Sequence, residues 1–136
     1  MDGHGPAMRT FACHTASDPA RVWTALTDPG ASAGYLYGLS AHSTWEVDAP
    51  IDVRHGEQVT LSGRVLCVRP GERLSYVLQS GPEDPPVYVT WLIRRHANGS
   101  TIRLEVDEIG SEDSAEDAED AWLPVLAALQ QVLSTG

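Results

Sequence analysis

The chain has 136 residues, and its 42% hydrophobic and 21% charged residues are ordinary for one globular domain, while its formal charge is −10. The acidity argues against nucleic acid or an anionic membrane surface as a partner, because both attract Lys and Arg. No run approaches the roughly 18 apolar residues that a transmembrane helix needs. We therefore expect no membrane insertion.

Residues 1–8 lack the apolar stretch of a signal peptide, so we expect a flexible N-terminal tail, a single domain over residues 9–136 and a cytoplasmic location. Cys13 and Cys67 fall in predicted strands far apart in sequence, which predicts buried free thiols rather than a disulfide. The five histidines are scattered and no C-x-x-C spacing occurs. We expect neither a metal nor any other cofactor.

The first elements are a strand and two short helices. Alternation of polar and apolar residues predicts a strand over residues 9–15. Ser17 or Asp18 can cap the helix that follows, and Pro19 suits its first position, where a missing N–H is no loss. An Ala- and Gly-rich segment, residues 31–36, predicts the second helix.

Apolar residues alternate from residue 40 onward, which predicts a meander of about six strands. Gly63 lies inside the longest strand, where glycine usually marks a bulge or bend, and Val65 and Cys67 are predicted to share a face there. The Asn98-Gly99 pair predicts a hairpin. The predicted strands cover residues 42–47, 51–54, 58–68, 74–78, 87–93 and 102–106.

Residues 113–134 have the apolar spacing of a long helix, with acidic residues at its start that complement the helix dipole. Pro124 predicts a kink or a restart, because an interior proline breaks a backbone hydrogen bond. Antiparallel strands joined in sequence form a curved sheet with one apolar face, and this helix is the long apolar element that can cover it. The predicted fold class is α+β.

Four motifs in chain order resemble the START/Bet v 1-like (SRPBCC) superfamily, in its branch named for the activator of heat-shock protein 90 ATPase homologue. The likeness spans residues 9–136. The motifs are Pro19-x-x-Val22-Trp23-x-Ala25-Leu26-Thr27-Asp28-Pro29, Gly63-Arg64-Val65-x-x-Val68-x-Pro70-x-x-Arg73-Leu74-x-Tyr76, Val89-Thr90-Trp91 with Gly99-Ser100-Thr101-Ile102-Arg103-Leu104, and Trp122-x-Pro124-Val125-Leu126-x-x-Leu129.

The resemblance implies the helix-grip fold, in which a seven-stranded antiparallel sheet wraps around the C-terminal helix and leaves a cavity between them. It implies no fixed chemistry. Members bind lipids, sterols, polyketides or other hydrophobic ligands, a few are cyclases or hydrolases, and some assist chaperones. The sequence departs from the branch at Tyr35, Leu36 and Tyr37, where a tryptophan is common, so the resemblance does not imply a particular ligand.

The large residues predicted to face the interior are candidates for the cavity wall, although dense core packing is the favoured explanation for any single one of them. The tyrosines and tryptophans are the better candidates, because each carries a polar group that can orient a ligand. The predicted ligand-binding residues are Tyr35, Leu36, Trp45, Leu61, Val65, Tyr76, Trp91, Leu104, Glu108, Trp122, Leu126 and Leu129.

No catalytic residue is assigned, because no base adjoins a nucleophile in the sequence. Glu108 continues the alternation of the last strand, so we expect its carboxylate at the cavity mouth, where desolvation would raise its pKa. The first hypothesis is binding or carriage of a hydrophobic, ring-containing small molecule. The second is a cyclase or hydrolase that uses Glu108, Tyr76 or a histidine. The third is a protein-interaction or chaperone-cofactor-like module whose acidic segment, residues 105–120, meets a basic partner. A homodimer is a separate partner hypothesis.

Overall fold

The computed structural model describes residues 8–36, 38–84, 86–108 and 115–134. They form one seven-stranded antiparallel sheet in the order β1-β7-β6-β5-β4-β3-β2, together with three helices. The elements are β1 (Met8–Thr15), α1 (Pro19–Thr27), α2 (Pro29–Tyr35), β2 (Ser40–His42), β3 (Pro50–His55), β4 (Gln58–Arg69), β5 (Arg73–Gln79), β6 (Val87–His96), β7 (Gly99–Glu108) and α3 (Ala115–Ser134).

The order of strands confirms the predicted meander and the helix-grip architecture. Each of β2 to β7 pairs with its neighbour in sequence, and β1 closes the order by pairing with β7. Met8 already belongs to β1, so the predicted tail is one residue too long at that end. The rest of that tail, residues 1–7, lies outside the described residues, as do residues 109–114 of the acidic segment 105–120.

The predicted strand over residues 42–47 is wrong beyond His42. The Ser43 hydroxyl accepts a hydrogen bond of 3.0 Å from the Trp45 N–H, and such local bonds compete with a sheet ladder. Trp45 and Asp48 then have φ angles of 57° and 70°, which no strand can contain. The segment instead returns to β4, where the Asp48 N–H donates to the Val65 carbonyl at 2.9 Å.

The prediction of a bend in β4 is confirmed, and its cause is close backbone approach. A Cβ atom on Gly63 would lie 1.7 Å from the Val77 carbonyl oxygen of β5. Two residues later the register shifts, so that Val65 pairs with Tyr76 but Cys67 pairs with Ser75. The shared face predicted for Val65 and Cys67 is therefore wrong, because the bulge turns Cys67 to the other face.

The helices begin largely as predicted. The Asp18 side chain caps α1 by accepting a hydrogen bond of 2.9 Å from the Arg21 N–H, and Pro19 occupies the first helical position. The long helix α3 is a single element that runs through Pro124, so it does not restart there. Pro124 lies on its exposed side, where water can reach the carbonyl that proline leaves unpaired.

Helix α3 packs against α2, α1 and β1, and its apolar residues complete one core with the inner face of the sheet. No helix in the described part of the chain is long and apolar enough to cross a membrane. Both cysteines are free, but they are half-buried rather than fully buried. The fully buried side chains include Val22, Ile51, Val53, Val65, Leu74, Val89, Trp91, Ile102, Leu104, Val106, Val125 and Leu129.

Candidate functional site

Four of the predicted ligand-binding residues form one connected aromatic cluster: Tyr35, Trp45, Tyr76 and Trp91. Four different elements contribute them, namely α2, the β2–β3 loop, β5 and β6. The Tyr35 ring meets Trp91 edge to face with ring centroids 6.1 Å apart, and the Trp45 and Tyr76 rings are also 6.1 Å apart. Such spacings are typical of favourable aromatic pairs.

Tyr76 and Trp91 are joined by a buried hydrogen bond. The Trp91 Nε1–H donates to the Tyr76 hydroxyl oxygen at 3.0 Å, and the two residues are 0% and 6% exposed. Burial raises the pKa of Tyr76 to about 12, although the bond from Trp91 opposes the shift. Tyr76 therefore keeps its proton at neutral pH. Because its oxygen accepts from Trp91, its own O–H is left to donate elsewhere.

Tyr35 anchors the other end of the cluster. Its hydroxyl donates to the Leu26 carbonyl at 3.3 Å, which ties α2 to the last turn of α1. Burial raises the pKa of Tyr35 well above its usual value, with smaller contributions from Tyr76 and Asp28. With its proton committed to Leu26, Tyr35 is a wall residue rather than a hydrogen-bond donor for a ligand.

Trp45 differs from the other aromatic residues in having an unsatisfied donor. Its Nε1 atom is buried and has no hydrogen-bond partner among the described residues, whereas the indole of Trp91 is paired. A buried donor without an acceptor costs about 1–3 kcal/mol. Its φ of 57° is also uncommon for a bulky residue. An unpaired donor and a strained backbone thus coincide at the edge of the cluster.

Seven of the eight remaining predicted residues belong to the same core. The buried ones are Val65, Leu104, Leu126 and Leu129, and the half-buried ones packed against them are Leu36, Leu61 and Trp122. Glu108 is the last residue of β7 and pairs in register with Val87 of β6. Its side chain lies outside the described residues, so the orientation predicted for its carboxylate stays a prediction.

The sequence analysis describes the histidines as scattered and misses a cluster at the surface. The Thr101 hydroxyl lies 3.1 Å from His14 Nδ1 and also contacts His96 Nε2, and the two imidazole rings are 5.9 Å apart. The cluster borders a surface pocket of about 600 Å³. The pairing of His14 with Thr101 across β1 and β7 creates it, and only the sheet register shows that pairing.

A sheet that grips one long helix, with an aromatic cluster beneath its irregular β2–β3 loop, defines a helix-grip protein of the START/Bet v 1-like class. Residues 16–134 match the profile of the family described as activator of Hsp90 ATPase homolog 1-like protein. The chain belongs to that family. No curated protein sequence matches it significantly.

Solved structures support the fold. The protein MLL2253 from Mesorhizobium loti superposes with a TM-score of 0.80 at 20% identity, and the match covers 94% of this chain and 97% of that one. DynU16, described as a putative protein in the dynemicin biosynthetic locus, superposes with a TM-score of 0.78 at 22% identity, and the match covers 97% of this chain and 49% of the DynU16 chain. PFC0360w, an HSP90 activator from Plasmodium falciparum, superposes with a TM-score of 0.74 at 13% identity, and the match covers 96% of this chain and 97% of that one.

Proposed function

We propose that the chain binds a hydrophobic, ring-containing small molecule that carries an oxygen acceptor, at the aromatic cluster between the sheet and α3. The observation that carries the proposal is the buried Trp45 Nε1–H, which has no hydrogen-bond partner among the described residues and belongs to a ring 6.1 Å from that of Tyr76. Small-molecule sites combine an apolar, aromatic wall with a few polar groups that fix orientation.

The proposal assigns two hydrogen-bond donors to the ligand, one on each of two neighbouring rings. The Trp45 and Tyr76 rings lie 6.1 Å apart, and each carries a hydrogen that no described residue accepts. The indole of Trp45 can only donate, and Tyr76, whose oxygen accepts from Trp91, still has its own hydrogen to donate. The complementary ligand group is a carbonyl or ether oxygen on an otherwise apolar ring system.

Entry requires the β2–β3 loop to move, because the Trp45 nitrogen has almost no solvent-accessible surface. The loop carries two residues at positive φ, Trp45 and Asp48, and exposes 58% of Val47. Backbone strain of this kind often marks segments that change conformation with a ligand. A ligand oxygen that pairs with the Trp45 N–H would stabilise the open arrangement.

The proposal is binding without a committed reaction. Tyr76 was one of the acids considered for catalysis, and acid–base catalysis is most efficient when the pKa lies near the working pH. Burial raises the pKa of Tyr76 to about 12, which suits a permanent hydrogen-bond donor better than a proton-transfer group. The second acid, Glu108, has no described side chain, so the enzyme hypothesis gains no support from the geometry.

The test compares two probes of nearly the same shape, 2-acetylnaphthalene, which has a carbonyl acceptor, and 2-ethylnaphthalene, which has none. Native mass spectrometry of the freshly purified chain first shows whether a molecule is retained, and tryptophan fluorescence titration then gives both affinities. We expect tighter binding of the acetyl probe. Trp45→Phe and Tyr76→Phe should each weaken it by about 3- to 10-fold, the effect of one hydrogen bond.

Trp23→Phe is the matched control, because Trp23 is a half-buried tryptophan of α1 outside the cluster. It should leave both affinities within about twofold, since no hydrogen bond to the ligand is removed. The proposal is overturned if neither probe binds and the purified chain carries no ligand. The assignment of the two donors is overturned if both cluster variants weaken the ethyl and acetyl probes equally.

A further inference from the structure

All nine basic residues of the chain are arginines, and four of them border one pocket on the outer face of the sheet: Arg69, Arg73, Arg94 and Arg103. The pocket has a volume of about 460 Å³ and lies on the face opposite the aromatic cluster. A cluster of four arginines is unexpected in a chain with a net charge of −10, because carboxylates outnumber arginines in the sequence.

The sheet register places these residues in two adjacent rows. Arg69 pairs with Arg73, Arg73 with Leu92, and Leu92 with Arg103, which makes one row across β4 to β7. Arg94 lies two residues beyond Leu92 on the same face of β6. Neighbouring strands are about 4.8 Å apart, so the four long side chains surround an area the size of a small ligand.

The positive charge of the pocket is only partly compensated. Arg103 lies 3.3 Å from Glu105, and Glu72 is the one carboxylate among the described residues that line the pocket. Arg69, Arg73 and Arg94 have no salt-bridge partner within 4.0 Å among the described residues. Like charges placed directly opposite each other across two strands are destabilising, which is the arrangement of Arg69 and Arg73. A bound anion would remove that repulsion.

We propose that this arginine pocket is a second binding site, which takes a small organic molecule carrying a phosphate group. A phosphate monoester carries about −1.5 to −2 charges at neutral pH, enough to pair with Arg69 and Arg73 together, whereas a carboxylate carries one. Guanidinium groups donate two parallel hydrogen bonds to phosphate oxygens. The volume exceeds that of the phosphate alone, and Leu92 supplies an apolar surface for the organic part.

The site is independent of the proposed function, because its residues lie on the other face of the sheet. Isothermal titration calorimetry of the full chain with phenyl phosphate, inorganic phosphate and benzoate, at constant ionic strength, tests it. Phenyl phosphate should bind saturably with one site, inorganic phosphate more weakly, and benzoate weakest. Arg73→Gln should reduce the affinity for phenyl phosphate at least about 10-fold, as expected for loss of a charge-assisted bond.

Arg64→Gln is the matched control, because Arg64 is an exposed arginine of the same strand as Arg69 but outside the pocket, near Asp48. It should change the affinity less than about twofold, since exposed charges at a distance are screened. Thermal unfolding without ligand gives a second readout, in which Arg69→Gln should raise the midpoint by relieving the repulsion from Arg73.

Absence of saturable binding by the wild-type chain would overturn the proposal. An equal loss of affinity in Arg64→Gln and Arg73→Gln would also overturn it, because binding would then depend on general electrostatic attraction rather than on the pocket. Tighter binding of an acidic Glu-Asp decapeptide than of phenyl phosphate would assign the surface to an acidic protein segment instead. A lower unfolding midpoint for Arg69→Gln would refute the like-charge argument.

Discussion

Replacing Tyr76 by phenylalanine tests the buried hydrogen bond that connects β5 to β6 inside the aromatic cluster. The substitution removes one oxygen and leaves the Trp91 Nε1–H, in a residue that is 0% exposed, without an acceptor or access to water. Loss of the bond and the orphaned donor together should lower the free energy of unfolding by about 1–3 kcal/mol. In a domain of this size, that is about 4 °C in the unfolding midpoint for each kcal/mol.

Urea unfolding followed by tryptophan fluorescence and circular dichroism measures the effect of Tyr76→Phe. Tyr88→Phe is the matched control, because Tyr88 is a half-buried tyrosine of the neighbouring strand β6 whose hydroxyl has no described hydrogen bond. Its effect should stay within about 0.5 kcal/mol. Equal stability of Tyr76→Phe and the wild-type chain would refute the assignment of a structural role to this bond, as would an equal loss in the Tyr88 control.

Three further predictions follow from the packing and burial. Gly63→Ala places a methyl group 1.7 Å from the Val77 carbonyl, so it should prevent the β4–β5 pairing and lower the yield of folded protein, measured by the dispersion of amide proton NMR signals. Leu129→Ala truncates a side chain that is 0% exposed, so it should lower the free energy of unfolding, measured in urea, by about 3–5 kcal/mol. Leu123→Ala truncates a side chain that is 48% exposed and should lower it by less than about 1 kcal/mol. Burial raises the pKa of Cys13 from 9.0 to about 11. The free energy of unfolding of the wild-type chain should therefore fall relative to that of Cys13→Ala as the pH rises from 9 to 11, because only the unfolded thiol ionises in that range. Equal pH profiles of the two chains would contradict this.

The long periodic segments of the sequence were sufficient to predict the fold. The alternation in β4 to β7 and the three-four spacing in α3 predicted the sheet and its covering helix, because a sheet face and a helix stripe must bury their apolar residues against each other. The Asn98-Gly99 pair also predicted the hairpin between β6 and β7, because such pairs favour tight turns, and Gly99 has a φ of 137° at the first position of β7.

The errors fall where local hydrogen bonds or register shifts override periodicity. The strand predicted through Trp45 ends at His42 because the Ser43 hydroxyl bonds to the backbone, and no alternation pattern shows such a bond. The bulge after Val65 moves Cys67 to the other face, because one extra residue inverts the alternation.

The cytoplasmic location and a homodimer stay predictions.

By itself the sequence determined the fold class, the family resemblance and a pool of aromatic residues for the interior, because hydrophobic periodicity and turn chemistry act over a few neighbouring residues. Only the tertiary structure decided which of those residues meet. The Tyr76–Trp91 bond, the contact between the Trp45 and Tyr76 rings and the row of arginines across β4 to β7 each join residues from different strands or loops. Their positions depend on sheet register, which the packing of the whole core sets.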